Sequence, residues 1–180
     1  MWFIDLMLAF SHWLESTPLS GFSVWLADTP VSTAINQNSW ATPITESVHI
    51  LAIAAAFGAA MMINLRILGV AGRRQTMLQV EERFAPWIWW SLLFLVISGV
   101  IFVIAEPARE ILSGWFWTKM GLIVLVALAN LWFQSSVRHG SALWEPGHET
   151  AAMRIGAGVL IALWLVIIIF GRLIAYTGVF

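Results

Sequence analysis

The sequence predicts an all-α integral membrane protein: a four-helix transmembrane bundle with an amphipathic, interfacial helix at its N-terminus. Three observations predict it. The chain has 180 residues, 60% hydrophobic and only 11% charged, whereas soluble domains carry nearer a quarter charged. A soluble chain this short has no interior large enough to hide so much apolar surface. Four stretches reach the roughly 20 apolar residues that a helix needs to cross the hydrocarbon. Tryptophan is abundant, with 12 copies, and its ring and single N–H favour the membrane–water interface.

The spans are expected at about 46–66, 87–105, 119–137 and 155–176, each bounded by breakers or charges. Pro43 precedes the first. Ala85-Pro86 opens the second, with proline where a first helical turn tolerates it, and Glu106-Pro107 closes it. Lys119 stands at the start of the third, and Gly140 with Pro146-Gly147 separates it from the fourth. No period-two pattern of a barrel is present, and in lipid the backbone must satisfy itself, which leaves helices. The loop from Ala71 to Phe84 carries mixed charges and is expected to extend the first helix or to form a short amphipathic turn.

Orientation follows from lysine and arginine. Arg66, Arg73, Arg74 and Arg83 follow the first span, and Arg138 and Arg154 lie between the third and fourth. Residues 1–43 hold no Lys or Arg, only Asp5, Glu15 and Asp28 among the charges. The positive-inside rule therefore puts residues 1–43 and the C-terminus on the periplasmic side of a bacterial inner membrane. The N-terminus lacks the positive n-region of a signal peptide. Asp5, His12 and Glu15 share one helical face, and Trp2, Phe3, Leu6, Phe10 and Trp13 share the other. That pattern reads as a helix in the headgroup plane; a helix packed over its own bundle or on a partner is the alternative. Phe22 to Leu26 repeats it on a smaller scale, and residues 29–43 read as a loop. The chain thus divides into an interfacial segment, 1–43, and the bundle, 44–180.

Ionisable groups inside a membrane are costly and mark candidate sites. Glu46 and His49 are one turn apart near the outer end of the first span. Lys119 starts the third, with Asn130 and Gln134 on about its face, and Arg172 and Tyr176 are one turn apart in the fourth. Glu46, His49, Lys119, Arg172 and Tyr176 therefore share a depth, with Glu106 and Arg109 nearby. Lys119 reads as a snorkelling interface residue, whereas His49 and Arg172 sit inside apolar runs and read as one buried network. Ala52, Ala56, Ala59 and Ala60 continue the His49 face and admit either a neighbouring helix or a flat ring, a haem or a quinone. A haem b held by two histidines is hard to build. His139 and His148 fall in the opposite loop, about 30 Å away, and His12 lies on the polar face of the first helix. His49 is left as the one candidate metal ligand in the spans.

The net charge of −1 argues against nucleic acid. With no cysteine, disulfides, iron–sulfur clusters and thiolate sites are excluded. No phosphate loop, HExxH, GxSxG or paired intramembrane carboxylate is present.

The run Pro43-Ile-Thr-Glu46-Ser-Val-His49, followed by Asn64-Leu-Arg66-Ile-Leu-Gly69, resembles the first helix of a bacterial family of small uncharacterised membrane proteins. Lys119, Asn130 and Gly171-Arg172-Leu-Ile-Ala-Tyr176 fit the same resemblance, which covers about residues 40–177. Such proteins are distantly similar to the copper-resistance D and cytochrome b561-like four-helix bundles, a kinship that implies haem, copper or quinone chemistry. Asn64 stands where that family has Asp, and Gln134 where it has His.

The expected function is a non-catalytic membrane subunit that links a periplasmic redox partner to the bilayer, with a haem or quinone near His49 and with other membrane or periplasmic subunits as partners. The alternatives are a cofactor-free structural accessory subunit and a small-solute or copper permease.

Overall fold

The computed structural model describes residues 2–72, 74–139 and 150–177, and of Arg138 and residues 174–177 the backbone only. The described residues form eight helices and no strand: α1 (Trp2–Glu15), α2 (Leu19–Ala27), α3 (Pro30–Gln37), α4 (Ala41–Ile67), α5 (Met77–Ala105), α6 (Pro107–Ile111), α7 (Gly114–Arg138) and α8 (Ala151–Thr177). Four of them, over Ala41–Ile67, Met77–Ala105, Gly114–Val137 and Ala151–Leu173, are long and apolar enough to cross a membrane. The chain is an all-α four-helix bundle suited to lipid, as the sequence predicts.

Helix ends differ from the expectation where capping chemistry overrides hydropathy. α4 stops at a glycine. Gly69 takes a positive φ of 71°, Val70 N–H donates to Leu65 O at 2.9 Å and Gly69 N–H to Arg66 O at 3.0 Å. This pair of bonds is the Schellman closure, which consumes the last free carbonyls of the helix. The charged loop therefore cannot prolong α4; it prolongs α5 instead. Thr76 and Gln79 form a capping box, with Gln79 N–H donating to Thr76 Oγ1 (3.2 Å) and Thr76 N–H to Gln79 Oε1 (2.9 Å). α5 thus begins at Met77, and Pro86 lies inside it. The same local chemistry makes a helix of part of the expected 29–43 loop. Thr29 Oγ1 accepts from Ser32 N–H (3.3 Å), and Pro30 takes the first helical position of α3.

The chain divides into two compact units, and α4, α5, α7 and α8 each contribute to both. The first comprises Met1–Ile50, Phe94–Gly121 and Ile168–Phe180. Its apolar centre is Met7 and Trp115, packed against Phe116, Phe170 and Leu173. The Trp115 ring meets Phe3 and Phe170 edge-on at 5.6 and 5.3 Å, the orientation that the aromatic quadrupole favours. α1 reaches this core because α7 opens with glycine. Gly114 N–H donates to Ser11 Oγ (2.9 Å), whose hydroxyl donates to Met7 O (3.0 Å). α2 packs against α6, whose buried residues are Pro107, Glu110 and Ile111.

The second unit comprises Leu51–Leu93 and Leu122–Ile167. Ala52, Ala56, Ala59 and Ala60 of α4 are all buried, as are Ile88 of α5, Val126 of α7 and Trp164 of α8. Protein covers the alanine stripe. Lipid tails are as apolar as leucine, so close packing through small residues, rather than escape from water, holds such helices together. At the α4–α5 turn Arg66 is buried, and its Nε donates to Gln75 O at 3.0 Å. Gly72 has φ 66° there, with Arg66 Cδ 3.4 Å from where a Cβ would stand.

Candidate functional site

α4 presents His49 half-buried toward α5 of the first unit. Its Nδ1 lies 2.7 Å from Ser98 Oγ. The Ser98 hydroxyl already donates to Phe94 O at 2.6 Å, one turn back on its own helix. One hydroxyl carries one hydrogen; with it directed at Phe94 O, Ser98 Oγ accepts from His49 Nδ1–H. In that arrangement the neutral ring carries its proton on Nδ1, and Nε2 keeps its lone pair. Phe102, one turn beyond Ser98, packs at 5.4 Å and 73° to the imidazole. The ring is held at one nitrogen and steadied at its face, the arrangement by which second-layer contacts orient a ligating or hydrogen-bonding histidine.

Lys119 of α7 is half-buried, with Nζ 5.5 Å from the centre of the Phe116 ring. Its stem passes Gly171 of α8, where a Cβ would come within 3.9 Å of Lys119 Cδ. Its charge acts on Glu110 of α6. Glu110 is buried on α6, with one carboxylate oxygen 3.6 Å from Arg109 Nη2. Arg109 is otherwise engaged by Glu106, Nη1 to Oε2 at 2.6 Å. Burial pushes the Glu110 carboxyl above the usual carboxylate range; Lys119 and Arg109 oppose the shift and Glu106 adds to it. His49, Ser98, Lys119 and Glu110 make up the candidate site.

Of the residues singled out from sequence, His49 meets Ser98, and Lys119 lies against Phe116 and Gly171. Lys119 is half-buried. Glu46 is exposed on α4. Arg172 is exposed on α8, and the polar partner of His49 Nδ1 is Ser98. Tyr176 lies in α8, and its side chain is outside the described residues. Of the remaining histidines, His12 is exposed and meets Glu15 at 3.2 Å, and His139 Nδ1 is 2.7 Å from Ser135 O in the second unit. His148 lies outside the described residues. Among the described residues no three His, Asp or Glu side chains gather as a metal site.

Sequence reasoning passes over Ser98 and Glu110. A signal exists for each: Ser91 and Ser98 are both buried and two turns apart on one face of a charge-free run, and Glu110 follows Glu106 by one turn. The positions where the resemblance has Asp and His hold buried, hydrogen-bonded amides. Asn64 Nδ2 donates to Ala60 O (2.8 Å), and Gln134 Oε1 accepts from the Trp89 indole (3.0 Å).

No family model, no curated protein and no solved structure matches this chain.

Proposed function

We propose that this chain is a non-catalytic subunit of a bacterial inner-membrane redox assembly, with residues 1–43 and the C-terminus on the periplasmic side, and that its His49 site binds the head group of a quinol. The observation that carries the reading is the Ser98 bond. With Ser98 as the acceptor at Nδ1, His49 Nε2 is left as an acceptor within the span, and a quinol hydroxyl is the donor that such an acceptor recognises in lipid. Lys119 supplies a donor for an oxygen acceptor, so the pair suits a ring with hydroxyl or carbonyl oxygens. A quinol site of this kind would connect the lipid pool to a periplasmic redox partner.

A haem b on His49 is the runner-up, and the distribution of ligands favours it less. His12 is exposed on the polar side of α1, and the sulfur of Met7 accepts from the Thr118 hydroxyl at 3.5 Å in the core of the first unit.

The test is an absorption spectrum of the detergent-purified protein, oxidised and dithionite-reduced, with solvent extraction of the same sample for quinone. The quinol reading predicts no Soret band and a quinone that co-extracts with wild type but not with His49→Ala. A Soret band lost in His49→Ala would replace quinol by haem. Neither signal, with stable copurification of another subunit, would leave a cofactor-free accessory role; altered solute or copper uptake without a partner would point to a permease.

A further inference from the structure

α1 has three sides. Phe3, Met7, Phe10 and Leu14 recur at the i, i+4, i+7 spacing of one helical line. Met7 and Leu14 are buried, Phe3 meets Trp115 and Phe170, and Phe10 lies against Gly114. Trp2, Leu6, Ala9 and Trp13 form the adjacent line at the same spacing. The protein leaves this line uncovered, with Trp2 76%, Leu6 50% and Trp13 60% exposed. Asp5, His12 and Glu15 occupy the third side, which also carries the exposed Ile4 and Leu8. The single apolar face expected from sequence is thus split, half against the protein and half unpartnered. α2 repeats the division. Ser23 is buried, and Phe22 and Trp25 are exposed with their rings 5.5 Å apart.

Charge and continuity decide what covers the unpartnered line. Trp40, just before α4, and Ile44, Val48 and Leu51 of α4 are exposed along one line, the side that a lipid-spanning helix turns to the bilayer. Residues 1–43 contain no Lys or Arg and three acids, Asp5, Glu15 and Asp28, so they have no attraction for anionic headgroups. Indole rings seated at the headgroup level need none.

We propose that the Trp2–Leu6–Trp13 line of α1, together with Phe22 and Trp25 of α2, inserts into the interface of a bilayer of uncharged or zwitterionic lipid, with the Asp5–His12–Glu15 side facing water. The insertion rests on burial of rings alone. It therefore requires no anionic lipid and is indifferent to salt, unlike the basic amphipathic helices that bind acidic membranes. The insertion depth is about 5–10 Å, at the boundary of headgroups and acyl chains. The proposal stands independently of the quinol reading.

The chain has no cysteine, so single spin labels can be placed directly. The full-length protein is reconstituted in phosphatidylcholine vesicles after Leu6→Cys, Trp13→Cys, Trp25→Cys, Asp5→Cys or Glu15→Cys, and each nitroxide is relaxed with oxygen and with a water-soluble nickel complex. Labels at 6, 13 and 25 are expected to favour oxygen, and those at 5 and 15 to favour nickel. Adding 30% phosphatidylglycerol or 0.5 M salt should leave the ratios unchanged. Nickel-favouring labels at 6, 13 and 25 would overturn the proposal. So would labels there shielded from both relaxants, which would mean that protein covers the line, or oxygen preference that appears only with anionic lipid.

Discussion

Replacing Gly114 by alanine should release α1 from its seat. A Cβ at this position would stand 2.8 Å from Met7 O, 3.0 Å from Phe10 Cδ1 and 3.3 Å from Phe10 Cβ. The first of these is a backbone carbonyl inside a helix and cannot rotate away, so α1 must move as a body. Movement strains the Gly114 N–H bond to Ser11 Oγ and loosens Met7 and Phe3 on Trp115. Overpacking of this kind costs about 1–3 kcal/mol, which is a factor of about 5–150 in a docking equilibrium. Leu14 is buried and supplies the reporter. In the cysteine-free chain, a Leu14→Cys thiol should react with a maleimide roughly 5–150 times faster when Gly114→Ala is added, where opening limits the reaction. Gly58→Ala is the control: nothing lies within 4 Å of where its Cβ would stand, and a mid-helix alanine is worth about 0.5–1 kcal/mol over glycine. Equal thiol reactivity in the Gly114→Ala and Gly58→Ala backgrounds would mean that α1 is not seated on the first turn of α7, and the steric explanation would fall.

Three further outcomes follow from the same geometry. Ser98→Ala frees His49 Nδ1 and should weaken quinol binding about 10–100-fold, as loss of an orienting partner does at ligating histidines, while Ser98→Thr, which keeps the hydroxyl, should restore most of it in an equilibrium titration. Glu110 has a folded pKa above its unfolded value, so its stabilising contribution is complete at low pH and is lost as pH rises through the folded value; the thermal midpoint should fall over that range above the ordinary carboxylate pKa, and Glu110→Gln should flatten the dependence. Thr76→Ala removes the cap of α5 and should cost about 1 kcal/mol, seen as faster amide exchange at residues 77–80 with exchange in the rest of α5 unchanged.

The four spans are legible in the sequence because their signal is long and compositional: each needs only a run of apolar residues, and lipid makes the helix obligatory. Helix ends are less legible. Hydropathy places the start of α5 at Trp87, but the structure starts it at the Thr76–Gln79 cap, a four-residue pattern that hydropathy misses because the charged stretch after it is not hydrophobic. Thr29-Pro30 likewise starts α3 within a Thr/Ser/Asn-rich stretch that composition alone reads as a loop. The site is legible by half. His49 stands out as an ionisable group in an apolar run, and Lys119 by its position at a span end. Ser98 does not, because a serine in a helix is satisfied by its own backbone, as here by Phe94 O; only the pairing of α4 with α5 turns it into an acceptor for histidine. Glu110 is buried by α6 and its neighbours, a short helix between two spans that hydropathy does not resolve. The face of α1 reads as one surface because periodicity separates apolar from polar but not the line that the protein covers from the line that it leaves exposed.

Whether His49 offers an acceptor to a quinol is decided by an equilibrium titration of a short-chain quinol against detergent-solubilised protein, followed by tryptophan fluorescence under anaerobic conditions. Saturable quenching is expected in wild type, with at least a roughly tenfold weaker affinity in His49→Ala, about 1.4 kcal/mol, and with Glu46→Gln, on an exposed side chain, close to wild type. Saturable binding of equal strength in wild type and His49→Ala, or no saturable binding in wild type, would contradict the quinol site.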